Sequence, residues 1–337
     1  MTDHLKSLLQ PATAIAHPNI AFIKYWGNRH SELRLPLTGS ISMNLDGLQT
    51  TTTVCPDERL QVDSFSLDGV EQVGASLVRV SKFLDSVRQT ARHQVFARIE
   101  SSNNFPVGAG IASSASAFAA LAVAAASAYG LNMSEAQLSA LARLGSGSAS
   151  RSVPAGFVEW QAADTHDESF AWSIAPANHW KLIDVIAILD PGHKKTGSTD
   201  GHRLAQTSPL NSARIALVPE RLERCRRAIL TRDFEALAEV TEADSEHMHV
   251  VMRTSTPPLI YQTAQTLVIL QQVKRWRSQG HAVCSTVDAG PNVHVIAMAS
   301  EQAWLEDELK AVKGVNQWIT CQPGGGAKLV CQSLEVK

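Results

Sequence analysis

Residues 103–117 read Asn103-Asn104-Phe105-Pro106-Val107-Gly108-Ala109-Gly110-Ile111-Ala112-Ser113-Ser114-Ala115-Ser116-Ala117. Glycine lets a backbone turn tightly and approach an anion with no Cβ in the way. The run of small residues beyond it predicts a helix from about Ala112 to Tyr129, ended by Gly130. The start of such a helix points unpaired N–H groups and the positive end of its dipole at the same place. Serine hydroxyls there suit a phosphate or a hydrated Mg²⁺, so the segment reads as a triphosphate cradle. It is not a P-loop, because no Gly-Lys-Ser/Thr follows, and the third glycine of a dinucleotide fingerprint is missing. Taken alone, the pattern leaves two readings open: phosphate binding, or a small-residue loop whose helix packs closely on a sheet.

Around this segment the chain alternates irregularly between strand and helix signals. Residues 14–25 are apolar and β-branched, interrupted by His17-Pro18-Asn19. Residues 49–54 form a Thr-rich run of high β propensity, and residues 95–99 a short strand leading into the loop. Ser134 and Gln137 make a capping box for a helix to about Leu144. Residues 156–161 and 169–174 pair as strands, and residues 182–189, apolar except for Asp184, form a buried one. Helices are predicted over 219–253, 259–279 and 301–312, with strands over 281–287 and 293–298. The irregular order indicates an α+β fold rather than a doubly wound sheet. The expected division is 1–178 and 179–337.

Composition sets outer limits. The chain has 337 residues, 44% apolar and 18% charged, which provides ample core and excludes disorder as the dominant state. Thirty basic residues oppose 32 acidic ones, and a net charge of -2 argues against a nucleic-acid binder. The most apolar stretch, residues 117–126, is too short to span a membrane. The first residues, MTDHLKSLLQPAT, lack the apolar core of a secretory signal. Five cysteines, an odd number without a CxxC spacing, fit a reducing cytoplasm better than a disulfide framework or a zinc ribbon.

A second glycine–serine turn, Gly145-Ser146-Gly147-Ser148-Ala149-Ser150-Arg151, follows the capped helix. It is either a plain helix stop or a turn whose arginine clamps a carboxylate or phosphate in bidentate fashion. His247-Met248-His249 does not make a metal site, because alternate residues on a helix do not share a face.

Three segments taken together narrow the choice. They are His17-Pro18-Asn19-Ile20-Ala21-Phe22-Ile23-Lys24-Tyr25-Trp26-Gly27; the loop at 103–117 with the turn at 145–151 and Gly156-Phe157-Val158-Glu159-Trp160; and Val287-Asp288-Ala289-Gly290-Pro291-Asn292. In order and spacing, over nearly the whole chain, the sequence resembles mevalonate diphosphate decarboxylases of the GHMP kinase superfamily. The resemblance implies a two-domain GHMP kinase-like α+β fold with the active site in the cleft between domains. It also implies a homodimer and ATP-dependent chemistry on a 5-phosphorylated mevalonate. In that chemistry the tertiary C3 hydroxyl is phosphorylated, the new phosphate leaves, and CO₂ is lost to give an isopentenyl product.

The resemblance also assigns roles. Asp288 would orient the C3 hydroxyl and take its proton. Arg151 would hold the C1 carboxylate in line, with Asn19 as its neutral partner, and Lys24 joins the catalytic set. Gly108, Gly110, Ser113 and Ser114 would hold the ATP phosphates and Mg²⁺, with Ser114 nearest the metal, and Ser101 or Ser102 would line the nucleotide site. Ser146 and Ser148 would bind the 5-phosphate end, with Tyr25, Asn28 and Ser198 also at the substrate. Lys194 or Lys195, in an apparent loop from His193 to Gly201, would neutralise ATP phosphates on closure.

Two departures stand out. Relatives that handle the diphosphate usually continue Tyr-Trp-Gly-Lys, where this chain has Asn28, and a Ser-Arg-Asp-Gly pattern reads Ser198-Thr199-Asp200-Gly201. A diphosphate needs more donors than a monophosphate, at about 1.5–3 kcal/mol per charged hydrogen bond. The lost cations therefore favour mevalonate 5-phosphate over the 5-diphosphate, unless Arg29, His30, Lys194 or His202 compensates. Two rivals remain: a GHMP kinase that stops at phosphorylation, and a regulatory ATP-binding protein. Asp288 and Arg151 together argue against both.

Overall fold

Along Ala97–Asn103 buried residues alternate with exposed ones: Ala97, Ile99 and Ser101 face inward, and Arg98, Glu100 and Ser102 face water. This is the period-two pattern of a strand covered on one face. In the computed structural model, which describes residues 9–105, 113–189 and 197–330, this strand belongs to a six-stranded sheet. Its spatial order is Lys328–Leu329, Ala12–Ala16, Thr50–Pro56, Ala97–Asn103, Ser64–Leu67 and Val70–Gln72. The helix Ser113–Ala128 lies across Ala12–Ala16 and Thr50–Pro56. Its alanines at 119, 120, 122, 124 and 125 are fully buried. Small side chains bring that helix close to the sheet, and enlarging one would overpack the contact by about 1–3 kcal/mol.

A second, larger sheet mixes strands from both halves of the chain. Its order is Ala171–Ala175, Phe157–Trp160, Ser40–Asp46, Gln317–Pro323, Leu182–Ile188, Val293–Met298 and Val283–Thr286, with Asn19–Ile23 also paired to Ser40–Asp46. All seven residues of Leu182–Ile188 are buried. Leu182, Ile186 and Ile188 pack against the helices Asn211–Thr231 and Phe234–Arg253. Ile183, Val185 and Ala187 pack on the other face against Ala264–Ser278 and Gln302–Ala311. Asp184 is tolerated here because its Oδ2 lies 2.7 Å from Nδ1 of the buried His294. Because Gln317–Pro323 pairs with Ser40–Asp46, and Lys328–Leu329 with Ala12–Ala16, the end of the chain is built into its beginning.

The α+β expectation holds, and the Ser134–Gln137 capping box is formed. Several elements differ from expectation. The helix expected over 219–253 is two helices, Asn211–Thr231 and Phe234–Arg253. Arg232 breaks it with φ +57°, and the Asp233 side chain then accepts the Ala236 N–H as a new N-cap. No glycine or proline marks that break. The next helix starts at Ala264 rather than 259, because Thr263 and Thr266 form its capping box. The serine turn at 145–151 is a 3-10 helix over Gly147–Ser152. Part of the expected 193–201 loop is helical, Ser198–Leu204. Strand Ser40–Asp46, helix Ala75–Ala91 and the small hairpin pairing Asn28–His30 with Leu35–Pro36 went unseen. Among the described residues no helix is long and apolar enough to cross a membrane.

Candidate active site

Strand Asn19–Ile23 pairs with Ser40–Asp46 in the second sheet, and the chain then lines a cleft with Lys24, Tyr25 and Trp26. The Lys24 backbone is fixed on both sides: its N–H donates to Asp244 Oδ2 at 2.7 Å, and its carbonyl accepts from Arg214 at 2.8 Å. Asp244 and Arg214 are themselves buried and in contact. That anchorage aims the lysine side chain across the cleft, where Nζ donates to Asp288 Oδ1 at 2.5 Å.

Asp288 follows strand Val283–Thr286, and the residue before it is pinned by helix Phe234–Arg253. Ser245 accepts the Val287 N–H at 3.0 Å, and His249 Nε2 lies 3.2 Å from the Val287 carbonyl. Burial pushes the His249 pKa down to about 4. The imidazole is therefore neutral near pH 7 and donates to that carbonyl from Nε2. His247 instead contacts Arg221. Among the described residues no group of three or more His, Cys, Asp or Glu is placed to hold a metal ion.

On the opposite wall Arg151, only 3% exposed, comes from the 3-10 helix. Its Nη1 donates to Ser40 Oγ at 2.6 Å, and Nη2 donates to Asn19 Oδ1 at 3.1 Å. Asn19 is oriented in turn by donating to the Ser148 carbonyl and to Ser152 Oγ. A buried cation is thus held by neutral acceptors. Burial lowers its pKa to about 10, against the pull of the Asp288 charge, so it stays charged at pH 7.

Tyr25 packs edge-on to Trp160 and stacks on His202. Its hydroxyl donates to Asn28 Oδ1, and burial pushes its pKa up to about 12. A Cβ on Gly147 would meet the Tyr25 ring at 2.5 Å, so this close approach requires glycine. His202 Nδ1 accepts the Gly27 N–H at 2.9 Å. Burial lowers the His202 pKa to about 3, leaving a neutral ring with its proton on Nε2. This anchorage holds Ser198–Leu204 against the cleft, which local sequence does not reveal.

Ser114, Ser146 and Ser148 form a row of hydroxyls, with Oγ separations of 3.2 and 3.4 Å. Ser114 stands in the first turn of helix Ser113–Ala128. Beside the row, Arg79 donates to the Gly145 carbonyl at 2.8 Å and lies over the Phe118 ring. Arg34 donates through Nε to the Leu144 carbonyl at 3.0 Å. Burial and the Arg34 charge hold the Arg79 pKa down at about 10. Neither arginine was picked out from the sequence: Arg34 sits between two leucines, and Arg79 lies on the helix Ala75–Ala91, which the sequence did not reveal.

The cleft thus brings together Asn19, Lys24, Tyr25, Ser114, Ser146, Ser148, Arg151, Ser198 and Asp288. Asn28 instead lines a flanking cavity and reaches the cleft only through the Tyr25 hydroxyl. Ser101 and Ser113 line an adjoining slot walled by Phe65, Leu67, Ile99, Phe118 and Leu121, which shares Ser114 and Arg79 with the cleft. The Ser101 hydroxyl is engaged with Thr52, and Ser102 faces outward. Gly108, Gly110, Lys194 and Lys195 lie outside the described residues. Among the described residues, four cations, Lys24, Arg34, Arg79 and Arg151, line the cleft against one carboxylate, Asp288. That imbalance calls for a ligand of several negative charges. For Mg²⁺ the donors on offer are the hard hydroxyl oxygens of the serine row. They suit an ion held mainly by the phosphates of a nucleotide.

Comparison with known proteins agrees with this layout. A family model described as the diphosphomevalonate decarboxylase-like N-terminal domain matches residues 16–171. A second, the mevalonate 5-diphosphate decarboxylase C-terminal domain, matches residues 184–326. Diphosphomevalonate decarboxylase of Candida albicans is 40% identical over 298 residues, covering 83% of this chain and 82% of the relative. The structure of mevalonate diphosphate decarboxylase from Staphylococcus aureus superposes with a TM-score of 0.91 at 35% identity, covering 97% of this chain and 100% of that one. A complex of MDDEF with MVAPP, AMPPCP and magnesium superposes with a TM-score of 0.90 at 37% identity, covering 95% and 99%.

Proposed function

The chain belongs to the diphosphomevalonate decarboxylase family, and on that premise we propose that it decarboxylates mevalonate 5-diphosphate at the expense of ATP. The products are an isopentenyl diphosphate, ADP, phosphate and CO₂. The observation that carries this reading is the pairing of Asp288 with Arg151 across one cation-rich cleft. Phosphorylation alone needs an acceptor for the hydroxyl proton. It does not need a buried arginine with spare N–H groups at the substrate's carboxylate end.

In the proposed reaction the C3 hydroxyl donates its proton toward Asp288 as its oxygen attacks the γ-phosphorus of ATP. Lys24, held by Asp244 and Arg214, fixes the carboxylate that receives it. The C3–O bond then breaks with departure of phosphate, leaving C3 electron-deficient. The electron pair of the C1–C2 bond moves to form the C2–C3 double bond, and CO₂ leaves. Arg151 contributes by aligning the carboxylate. Its bonds to Asn19 and Ser40 are neutral ones, so they do not quench its charge.

The serine row and the slot beside it are the places for ATP, with Ser114 contributing a hydroxyl to Mg²⁺. The metal, when bound, neutralises phosphate charge during transfer. The same reading includes a homodimer, on family resemblance, and a cytoplasmic location, on the cysteine usage. The expected preference for mevalonate 5-phosphate finds no support, because the relatives are named for the diphosphate. The cation count behind it also omitted Arg34 and Arg79, which line the cleft. The test is turnover of mevalonate, its 5-phosphate and its 5-diphosphate, scored for both ADP and CO₂. Equimolar ADP and CO₂ from the diphosphate is the expected result. ADP without CO₂ would leave only a kinase.

A further inference from the structure

We propose that Arg34 is the specificity-determining cation for the distal phosphate of the substrate, replacing from the turn of a hairpin the charge that Asn28 lacks on its first strand. The inference rests on the decarboxylase reading above. Asn28 and Arg34 belong to the same short hairpin, in which Asn28 pairs with Pro36 and His30 with Leu35. Both residues line the cavity flanking the cleft, but only Arg34 also lines the cleft itself. The Asn28 side-chain oxygen is occupied by the Tyr25 hydroxyl, and Arg29 beside it is paired with Asp164.

Arg34 has the features of a placed charge. Its Nε is committed to the Leu144 carbonyl, which sets the plane of the guanidinium and leaves the Nη pair as the fork for an anion. No ion pair is recorded for it among the described residues, and the neighbouring Arg79 and Arg203 repel it. Its backbone sits at φ +50°, a conformation that non-glycine residues rarely adopt outside constrained sites. A plain helix-capping role accounts for the Leu144 bond. It does not account for an arginine held in a strained turn beside a second unpaired arginine and a row of serines.

The test compares kcat/KM on mevalonate 5-diphosphate and 5-phosphate for the full-length enzyme and three variants. Turnover of the diphosphate by the unaltered enzyme is established first, since its failure defeats the decarboxylase reading whatever Arg34 does. Arg34→Gln is expected to lose about 10- to 100-fold on the diphosphate, mostly through KM, with much less loss on the monophosphate. Arg34→Lys is expected to recover part of that loss. Adding Asn28→Lys to Arg34→Gln is expected to restore at least tenfold, with the thermal midpoint following neither change. Equal loss on both substrates, no loss on either, or no rescue by Asn28→Lys would overturn the proposal. If Arg34→Gln fails to fold, Arg34→Lys and Asn28→Lys alone decide it. A higher diphosphate-to-monophosphate ratio in Asn28→Lys supports a shared cation site, and an unchanged ratio in both variants refutes it.

Discussion

Lys24 Nζ lies 2.5 Å from Asp288 Oδ1, and the lysine side chain is 2% exposed while the aspartate keeps 29%. One partner is sealed into the protein, and the other opens to the cleft. Removing one member of a buried ion pair leaves the other uncompensated, so the two residues are expected to act as a unit. Asp288→Asn keeps the shape but cannot accept a proton. Turnover is expected to fall by about 10²- to 10⁴-fold, while nucleotide binding, measured by fluorescence titration, stays within about threefold. Activity within tenfold of the starting enzyme would remove Asp288 from the proton-accepting role.

Asn19 shows why a neutral residue belongs beside Arg151. Its oxygen accepts from Arg151, and its nitrogen donates to the Ser148 carbonyl and Ser152 Oγ. Asn19→Asp would add a carboxylate to the guanidinium and replace the amide donor with an acceptor facing the Ser148 carbonyl. Arg151 would then be neutralised before the substrate carboxylate arrives. We expect KM for the mevalonate substrate to rise at least tenfold in Asn19→Asp, and by less in Asn19→Ser. Initial-rate kinetics decide the order of the two variants, and the reverse order would count against a charge-masking effect.

Gly147 admits the Tyr25 ring, with a prospective Cβ only 2.5 Å from it. Gly147→Ala must therefore push Tyr25 off Trp160 and His202, its two ring partners. The displacement reaches Ser146 and Ser148 on one side and Asn28 on the other. A loss of more than tenfold in kcat/KM is expected. Tyr25→Ala in the same background should add little further loss, because neighbours that act together are not additive.

Much of the site was legible because its residues cluster in short segments with dense local signals. The Asn19–Tyr25 run, the Ser146–Arg151 turn and Asp288 in its Gly-Pro turn were picked out through family resemblance, and all three line one cleft. Arg34 and Arg79 were missed because nothing local sets them apart. Arg34 belongs to a hairpin with no turn signature, and Arg79 lies on a helix for which the sequence offered no expectation. His202 was named only as a compensating charge, because its anchor, the Gly27 N–H, is 175 positions away. The helix break at Arg232 was invisible for a similar reason: an arginine adopts φ +57° there with no glycine to announce it. Local periodicity reports elements, whereas contacts between distant segments decide where charges converge.

The two buried histidines give the protein a defined acid response. His202 and His249 carry folded-state pKa values lowered from 6.5 to about 3 and about 4, both mainly by burial. In the unfolded chain each binds a proton near pH 6.5, whereas in the folded protein each stays neutral until far lower pH. Their contribution to stability is therefore full above about pH 6.5. It is lost progressively as pH falls toward 4 and then 3, at up to about 1.4 kcal/mol per pH unit for each group. Thermal midpoints measured between pH 7.5 and 4.5 should decline across that window. His249→Gln keeps a donor for the Val287 carbonyl but does not titrate, so it should flatten part of the decline. An identical pH slope in that variant would show that His249 is not one of the groups responsible.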